Sequence, residues 1–100
     1  MSAFKVREKL EKDLQKQVLN HLNKHYPEGY WRKLSDKTRS HLPDIIGVYK
    51  GKSIAIELKR KGEALRPGQA AELLEFDLAG GFSLYSDNFE KVKDWLRWTL

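Results

Sequence analysis

The centre of the chain, residues 43–59, reads PDIIGVYKGKSIAIELK. Two runs rich in β-branched and aromatic residues, Asp44–Tyr49 and Ile54–Leu58, are separated by the four residues KGKS. A glycine in a short polar connection between two such runs is typical of a hairpin turn. This stretch therefore predicts two antiparallel strands, and the other elements of the fold can be placed around them.

Three charged residues fall at the open end of the predicted hairpin. With a Gly51-Lys52 loop, Asp44 lies opposite Lys59 and diagonal to Glu57; with a Lys50-Gly51 loop, Asp44 lies directly opposite Glu57. Both registers place the three side chains on one face, because side chains alternate between the faces of a strand. A three-residue loop would move Glu57 to the other face.

The rest of the chain supplies three helices and two more strands. A chain of 100 residues predicts a single domain, 1–100, with an α/β fold. The predicted order is a helix from Val6 to Lys24, strands at Tyr30–Leu34, Asp44–Tyr49 and Ile54–Leu58, a helix at Gly68–Ala79 between Pro67 and Gly80-Gly81, a strand at Phe82–Tyr85, and a last helix opened by an Asp87–Glu90 capping box.

The first helix carries an acid on its apolar face. Its stripe consists of Leu10, Leu14, Val18 and Leu22, widened by Leu19. On a helical wheel Glu11 lies between Val18 and Leu22, and Gln15 follows one turn later. A carboxylate that faces a core is costly unless it is paired, hydrogen-bonded or bound to a cation. A buried salt bridge and a functional carboxylate are both open interpretations.

Composition excludes several classes of protein. The chain has no cysteine, which excludes a disulfide scaffold, a thiol nucleophile, a zinc finger and an iron–sulfur centre. No apolar run approaches a membrane span, and the N-terminal residues contain no apolar signal-peptide core. We therefore expect a cytoplasmic protein without membrane partners.

Positive charge is concentrated in the first two-thirds of the chain. Residues 1–66 hold 16 Lys/Arg and 8 Asp/Glu, whereas residues 67–100 hold 3 and 6. A basic segment of this kind favours a polyanionic partner.

Two carboxylates held side by side repel each other, and a hard divalent cation with oxygen ligands relieves that repulsion. Mg²⁺ accepts one or two carboxylates and keeps several waters. Lys59, two residues after Glu57 and on the same face, would lie beside that cation and balance negative charge that develops during a reaction. The simpler alternative is a cross-strand salt bridge, but it leaves one of the two acids, Asp44 or Glu57, unpaired.

A known family shares this pattern. Pro43-Asp44, twelve intervening residues and Glu57-Leu58-Lys59 resemble the PD-(D/E)xK nuclease signature. The wider order resembles the virus-type replication-repair nuclease (VRR-NUC) domain over about residues 8–97, and in particular its stand-alone phage and bacterial members. The residues that carry this wider resemblance are Glu11 and Gln15, the two motif strands, Gln69 and Gly80-Gly81-Phe82.

The resemblance implies a restriction-endonuclease-like αβββαβ core with a mixed sheet, plus a C-terminal helix. It implies that Asp44, Glu57 and the Leu58 carbonyl bind Mg²⁺, with Mn²⁺ as a substitute, and that Lys59 is catalytic. It also implies that Glu11 binds the metal, directly or through water. Gln69 would help to hold the site or contact the scissile phosphate. One departure is Ser40-His41-Leu42 before Pro43, where members often carry a small residue.

The implied activity is a metal-dependent DNA endonuclease. No separate sequence-reading module is apparent, so selectivity should come from DNA shape, as the resemblance to nucleases of Holliday junctions or flaps and of DNA repair also implies. Paired cuts require two sites and hence a homodimer. The alternative is a basic nucleic-acid-binding module on the same fold that does not cut. Residues expected to contact DNA phosphates are Lys33, Lys37, Arg39, His41, Arg60, Lys61 and Arg66.

Two further groups of residues carry weaker signals. His21 and His25 are four residues apart on one helix face, but residue 22 is Leu, so the zinc-protease pattern is missing. We expect them to have a structural role near the C-terminal end of the helix, where positive charge interacts favourably with the helix dipole. The aromatic residues Tyr30, Trp31, Trp95 and Trp98 are expected in the core or at an interface.

Overall fold

A mixed four-stranded sheet lies between two layers of helix in the computed structural model, which describes residues 3–34 and 41–100, with side chains from residue 10 onward. The strand order is β1-β2-β3-β4; β1/β2 and β2/β3 are antiparallel and β3/β4 is parallel. The elements in chain order are α1 (Ala3–His25), β1 (Tyr30–Lys33), β2 (Ile45–Tyr49), β3 (Lys52–Leu58), α2 (Pro67–Leu78), β4 (Phe82–Ser86) and α3 (Phe89–Thr99). This arrangement confirms the predicted αβββαβ core with a C-terminal helix.

The central hairpin adopts the shorter connection. Tyr49 pairs with Lys52, so the loop is Lys50-Gly51, and both loop residues have positive φ (48° and 81°). A type I′ turn requires positive φ at both central positions, and its twist matches that of the flanking strands. Of the two registers that the sequence left open, the structure therefore has the one that aligns Asp44 with Glu57.

The core fills the face of the sheet that α1 and α3 cover. Ile54 and Ile56 of β3 are fully buried there against Val18 of α1 and Leu96 of α3. The predicted stripe of α1 is wrong at its start, because Leu10 is 50% exposed. The helix contacts the core through Val18 and Leu22. Each fully buried aliphatic side chain contributes about 1.5–3 kcal/mol.

The aromatic residues of β1 divide between core and surface. Trp31 is buried, and its Nε1 donates to the Tyr26 carbonyl at 2.9 Å. Gly47 makes room for the indole, since a Cβ there would lie 2.1 Å from Trp31 Cε3. Tyr30 is 55% exposed on the opposite face, with the Arg32 guanidinium 4.0 Å from its ring centroid.

The ends of α2 are set by local hydrogen bonds. At its C-terminus Gly80 has φ 103°, and the amides of Gly80 and Gly81 donate to Asp77 and Phe76, which is a Schellman motif. This confirms the predicted exit at the glycine pair. At its N-terminus the Gln69 side chain accepts from the Arg66 amide at 3.0 Å.

The predicted capping box of the last helix is wrong. Asn88 is the N-cap of α3, and its Oδ1 accepts from the Lys91 amide at 3.1 Å. Asp87 instead accepts from the Gly62 amide at 3.3 Å. The Asp87 side chain, which the sequence spacing predicts as the cap of the last helix, therefore makes a tertiary contact with the loop before α2 instead.

Candidate active site

Asp44 and Glu57 meet where β2 and β3 open toward α2. The ladder pairs Ile45 with Ile56, and its continuation by one residue sets Asp44 opposite Glu57. Both side chains lie on the α2 side of the sheet, since Ile45 and Ile56 face the core. Asp44 Oδ2 accepts from the Leu58 amide at 2.7 Å, which fixes the carboxylate at the end of the hairpin.

Glu57 is a buried acid with one unpartnered oxygen. It is 3% exposed, and its Oε2 is buried with no hydrogen-bond partner. The pKa of Glu57 is raised to about 8, first by burial and then by the charge and hydrogen bond of neighbouring Asp44, against the opposing effect of Lys59. At neutral pH this carboxyl therefore binds a proton unless a cation takes the proton's place.

Lys59 lies among the acids. It is 6% exposed, and its amide donates to the Ser86 carbonyl at 3.0 Å, which ties the end of β3 to the end of β4. Its charge lowers the pKa of Glu57, Glu11 and Glu63 alike. The Lys59 ammonium therefore interacts electrostatically with three carboxyl groups, which a single cross-strand salt bridge does not explain.

Glu11 reaches this cluster from α1. Its pKa is raised to about 7, first by burial and then by the hydrogen bond and the charge of Glu63. The charge of Lys59 opposes this shift, and that of Asp44 adds to it. The partner of Glu11 is thus chiefly another carboxyl group. The pKa of Glu63 is lowered, above all by the same hydrogen bond.

Glu63 is the site residue that sequence reasoning missed. It lies in the loop between β3 and α2, and its Oε2 is buried without a hydrogen-bond partner. The loop is held by the Glu63 amide to the Arg60 carbonyl at 2.9 Å and by the Tyr85 hydroxyl to the Glu63 carbonyl at 3.4 Å. The one available signal was that Glu63 is the only acid in the basic stretch 60–66.

The donor set fits a hard divalent cation. Asp44 and Glu57 offer opposed carboxylate oxygens, one of them buried and unpartnered. Within the described ranges, no three His, Asp or Glu side chains converge closely enough to hold a metal by themselves. Mg²⁺ binds through one or two carboxylates and several waters, so two protein carboxylates suffice.

The N-terminus of α2 faces the same region. Arg66 precedes the helix and lowers the pKa of Glu57 by its charge. The His41 ring packs on Gly68, where an added Cβ would lie 2.4 Å from it. Gln69 is 4% exposed and its carbonyl oxygen caps the helix, so the structure places it as a support of the α2 N-terminus.

Three of the other residues predicted to bind DNA belong to the described part of the chain. Lys33 and Lys61 are exposed, and Arg60 is half-buried with its Nε unpartnered. Lys37 and Arg39 lie outside the described residues, as does Ser40. None of the helices in the described part of the chain is long and apolar enough to cross a membrane.

Comparisons with known proteins bear on the fold. No protein-family model and no curated protein matches the sequence. A solved structure described as a VRR_NUC domain is similar to the chain with a TM-score of 0.67 and 22% sequence identity, over 94% of this chain and 97% of that one. The chain therefore has the fold of a VRR_NUC domain.

Proposed function

We propose that this protein is a divalent-cation-dependent endonuclease that hydrolyses phosphodiester bonds in branched DNA. The observation that carries the proposal is the opposed Asp44–Glu57 pair, in which a buried Glu57 oxygen has no partner and Lys59 lies alongside. The fold shared with a VRR_NUC domain supports it.

The residues of the site divide into three tasks. Asp44 and Glu57, with the Leu58 carbonyl, would hold Mg²⁺ or Mn²⁺, and Glu11 would bind one of the waters around the ion. When bound, such an ion polarises the phosphoryl group and makes an attacking water more acidic. The Lys59 ammonium orients that water and stabilises the negative charge that develops on the phosphoryl oxygens.

The surroundings favour an anionic substrate. Helix α2 presents its N-terminus, with Arg66 and the His41 ring beside it, on the same side as the carboxylates. Free amides and the dipole at a helix N-terminus favour phosphate groups. A protein that only binds nucleic acid would gain nothing from an acidic pair facing phosphate, because the pair repels the ligand unless a cation neutralises it.

A cleavage assay tests the proposed function. The full chain is incubated with end-labelled four-way junction, flap and linear duplex of matched length and sequence, with Mg²⁺, with Mn²⁺ and with EDTA. We expect cutting of branched DNA with either cation and none in EDTA. Binding of all three DNAs without cutting in either cation would instead establish the non-catalytic binding module.

Glu11→Gln is expected to lower cation-dependent cleavage about tenfold while retaining stability. The loss reflects a changed water-binding partner, and changes to such supporting groups commonly cost 10- to 100-fold. The amide still donates a hydrogen bond to Glu63, so the free energy of unfolding should change little. Asp13→Asn, an exposed acid on the same helix, is the matched control. A loss of about 3–5 kcal/mol with unchanged specific activity would indicate a buried salt bridge instead.

The protein is expected to be a homodimer in its active form. A specific DNA interface buries about 1,000–2,500 Å² of protein surface; one chain exposes 6797 Å² in total. Two subunits would also pair two sites symmetrically. Trp98 is 90% exposed on α3, whereas Trp95 and Leu100 pack against the core, so Trp98 is the α3 aromatic available for contact.

Light scattering at micromolar concentration measures this state, with Trp98→Ala as the variant and Lys91→Ala on the same helix as the control. We expect twice the 11.7 kDa chain mass for the wild type. An 11.7 kDa monomer that still makes paired symmetric cuts in a four-way junction would contradict the prediction.

A further inference from the structure

A basic groove lies far from the carboxylates, between the C-terminal part of α1 and the α3 helix. Its volume is about 480 Å³. We call it the α1–α3 groove, and it is lined by His21, His25, Tyr26, Phe89, Lys93 and Arg97. Four of these six residues carry a basic side chain, and none carries a carboxylate.

The groove is preorganised by its aromatic rings. The His21 ring centroid lies 4.5 Å from that of His25 and 5.5 Å from that of Phe89, the latter edge to face. Lys93 Nζ lies 5.0 Å from the Phe89 ring centroid, and this side chain is only 26% exposed. His21, His25 and Lys93 are thus held at the groove by packing, whereas Arg97 is mostly exposed at its edge.

The charges in the groove repel one another. The pKa of His21 is lowered, first by burial and then by the positive charges of His25, Lys93 and Arg97; Glu90 opposes this. Glu90 pairs with Lys93 at 3.0 Å from a side chain that is 72% exposed. Arg97 likewise pairs with Asp94 of the same helix, and both of these side chains are exposed. Because Glu90, Asp94 and Arg97 are exposed to solvent, the two ion pairs offset little of the positive potential inside the groove.

The groove and the carboxylates lie on different sides of the molecule. Helices α1 and α3 cover the core face of the sheet, whereas Asp44 and Glu57 lie on the α2 face. Along α1, His21 is ten residues beyond Glu11, which corresponds to about 15 Å. A straight duplex seated on the carboxylates would leave the groove behind the sheet, but a second arm that diverges from it could reach the groove.

We propose that the α1–α3 groove binds backbone phosphates of a second arm of a branched nucleic acid. The proposal rests on the proposed function and names the feature by which this chain would distinguish a branch from a linear duplex. Lys93 and Arg97 contact the phosphates as cations, and the histidine side chains supply N–H donors.

Binding measured in EDTA tests the groove without cleavage. The variant is Lys93→Gln/Arg97→Gln, and the matched control is Lys91→Gln, which removes an exposed cation from the same helix. We expect the variant to bind a four-way junction about tenfold more weakly than wild type near 0.1 M salt. The slope of its log binding constant against log salt concentration should fall by the amount expected for the loss of about two phosphate contacts. Affinity for a linear duplex should stay within about twofold, and melting temperatures should match the wild type.

Each other outcome is informative. Unchanged junction affinity in the double variant, or an equal loss for junction and duplex, overturns the inference and leaves the proposed nuclease intact. The charge reversal Arg97→Glu repeats the test with a larger electrostatic change.

A free phosphate ion could bind the same basic groups as a DNA phosphate. Titration with inorganic phosphate, followed by the NMR signals of His21 and His25, tests this alternative. Shifts in those signals with unchanged junction affinity would indicate a small-anion site and overturn the role in binding DNA. A wild type that binds neither DNA overturns both proposals.

Discussion

Glu57→Gln is expected to lower Mg²⁺-dependent cleavage by at least about 10³-fold and to make the cation-free protein more stable near pH 8. The loss of cleavage follows because a bound cation supplies several kcal/mol of transition-state stabilisation, and each 1.4 kcal/mol is about tenfold in rate. The gain in stability follows because the native Glu57 carboxyl is 3% exposed and has an unpartnered oxygen. Burial and the neighbouring Asp44 raise its pKa to about 8.

The stability gain distinguishes a functional acid from a structural one. Folding of the wild type at pH 8 requires Glu57 either to take up a proton or to be buried as an ion, whereas glutamine requires neither. We expect a gain of at least about 1 kcal/mol, which raises the melting temperature of a chain this size by about 4 °C or more. If the variant were instead less stable and fully active, Glu57 would be a structural residue.

Asp44 and Lys59 provide matched variants of the same experiment. Asp44→Asn keeps an oxygen that can accept from the Leu58 amide, so it should lose cleavage with little change in stability. Asp44→Ala leaves that amide unpaired and should lose about 1–3 kcal/mol as well. Lys59→Met should lose cleavage while retaining DNA binding. Wild-type cleavage in Mg²⁺ by any one of these variants would remove that residue from the proposed site.

The second large effect is a pH dependence of stability that divalent cations reverse. Glu57 and Glu11 have folded-state pKa values of about 8 and about 7, against 4.5 as their ordinary value. The folded protein therefore holds more protons than the unfolded chain between about pH 4.5 and pH 8. Glu57 then lowers the free energy of unfolding by up to about 1.4 kcal/mol per pH unit as the pH rises through that window. Glu11 acts in the same direction but by less, because solvent screens it more.

Glu63 contributes with the opposite sign. The pKa of Glu63 is lowered in the folded protein. Its contribution to folding stability is therefore present above its ordinary pKa and is lost as the pH falls through its folded-state pKa. The cation-free protein should accordingly be most stable near the acidic end of the window set by Glu57 and Glu11. It should lose stability toward about pH 8.

Mg²⁺ competes with protons for the same oxygens, so its stabilising effect should grow with pH. Melting temperatures with and without about 10 mM Mg²⁺, at about pH 6 and about pH 8.5, measure this effect. We expect a small cation-induced shift at the lower pH and a larger one at the higher pH, with both shifts lost in Glu57→Gln. A shift that is equal at the two pH values would contradict binding of the cation at these carboxylates.

Local sequence was sufficient wherever neighbouring residues alone determine conformation. Gly51 between two β-rich runs predicts the hairpin, and Gly80-Gly81 predicts the exit from α2, because positive φ favours glycine. The period of two along β2 and β3 then places Asp44, Glu57 and Lys59 on one face in either two-residue register. The sequence left the choice between those registers open, since both loops are sterically acceptable.

Only the tertiary structure brought Glu63 to Glu11, because a loop after β3 and a turn of α1 are distant in the chain. For the same reason Asp87 contacts Gly62 instead of capping α3, and Leu10 lies beyond the core although its helical spacing matches that of Val18. The sequence by itself thus determined the order of elements, the hairpin and the shared face of its motif residues, which depend on local sterics and side-chain periodicity. The folded structure decided the register, the fourth carboxyl group and the position of the α1–α3 groove, which depend on how elements pack across the sheet.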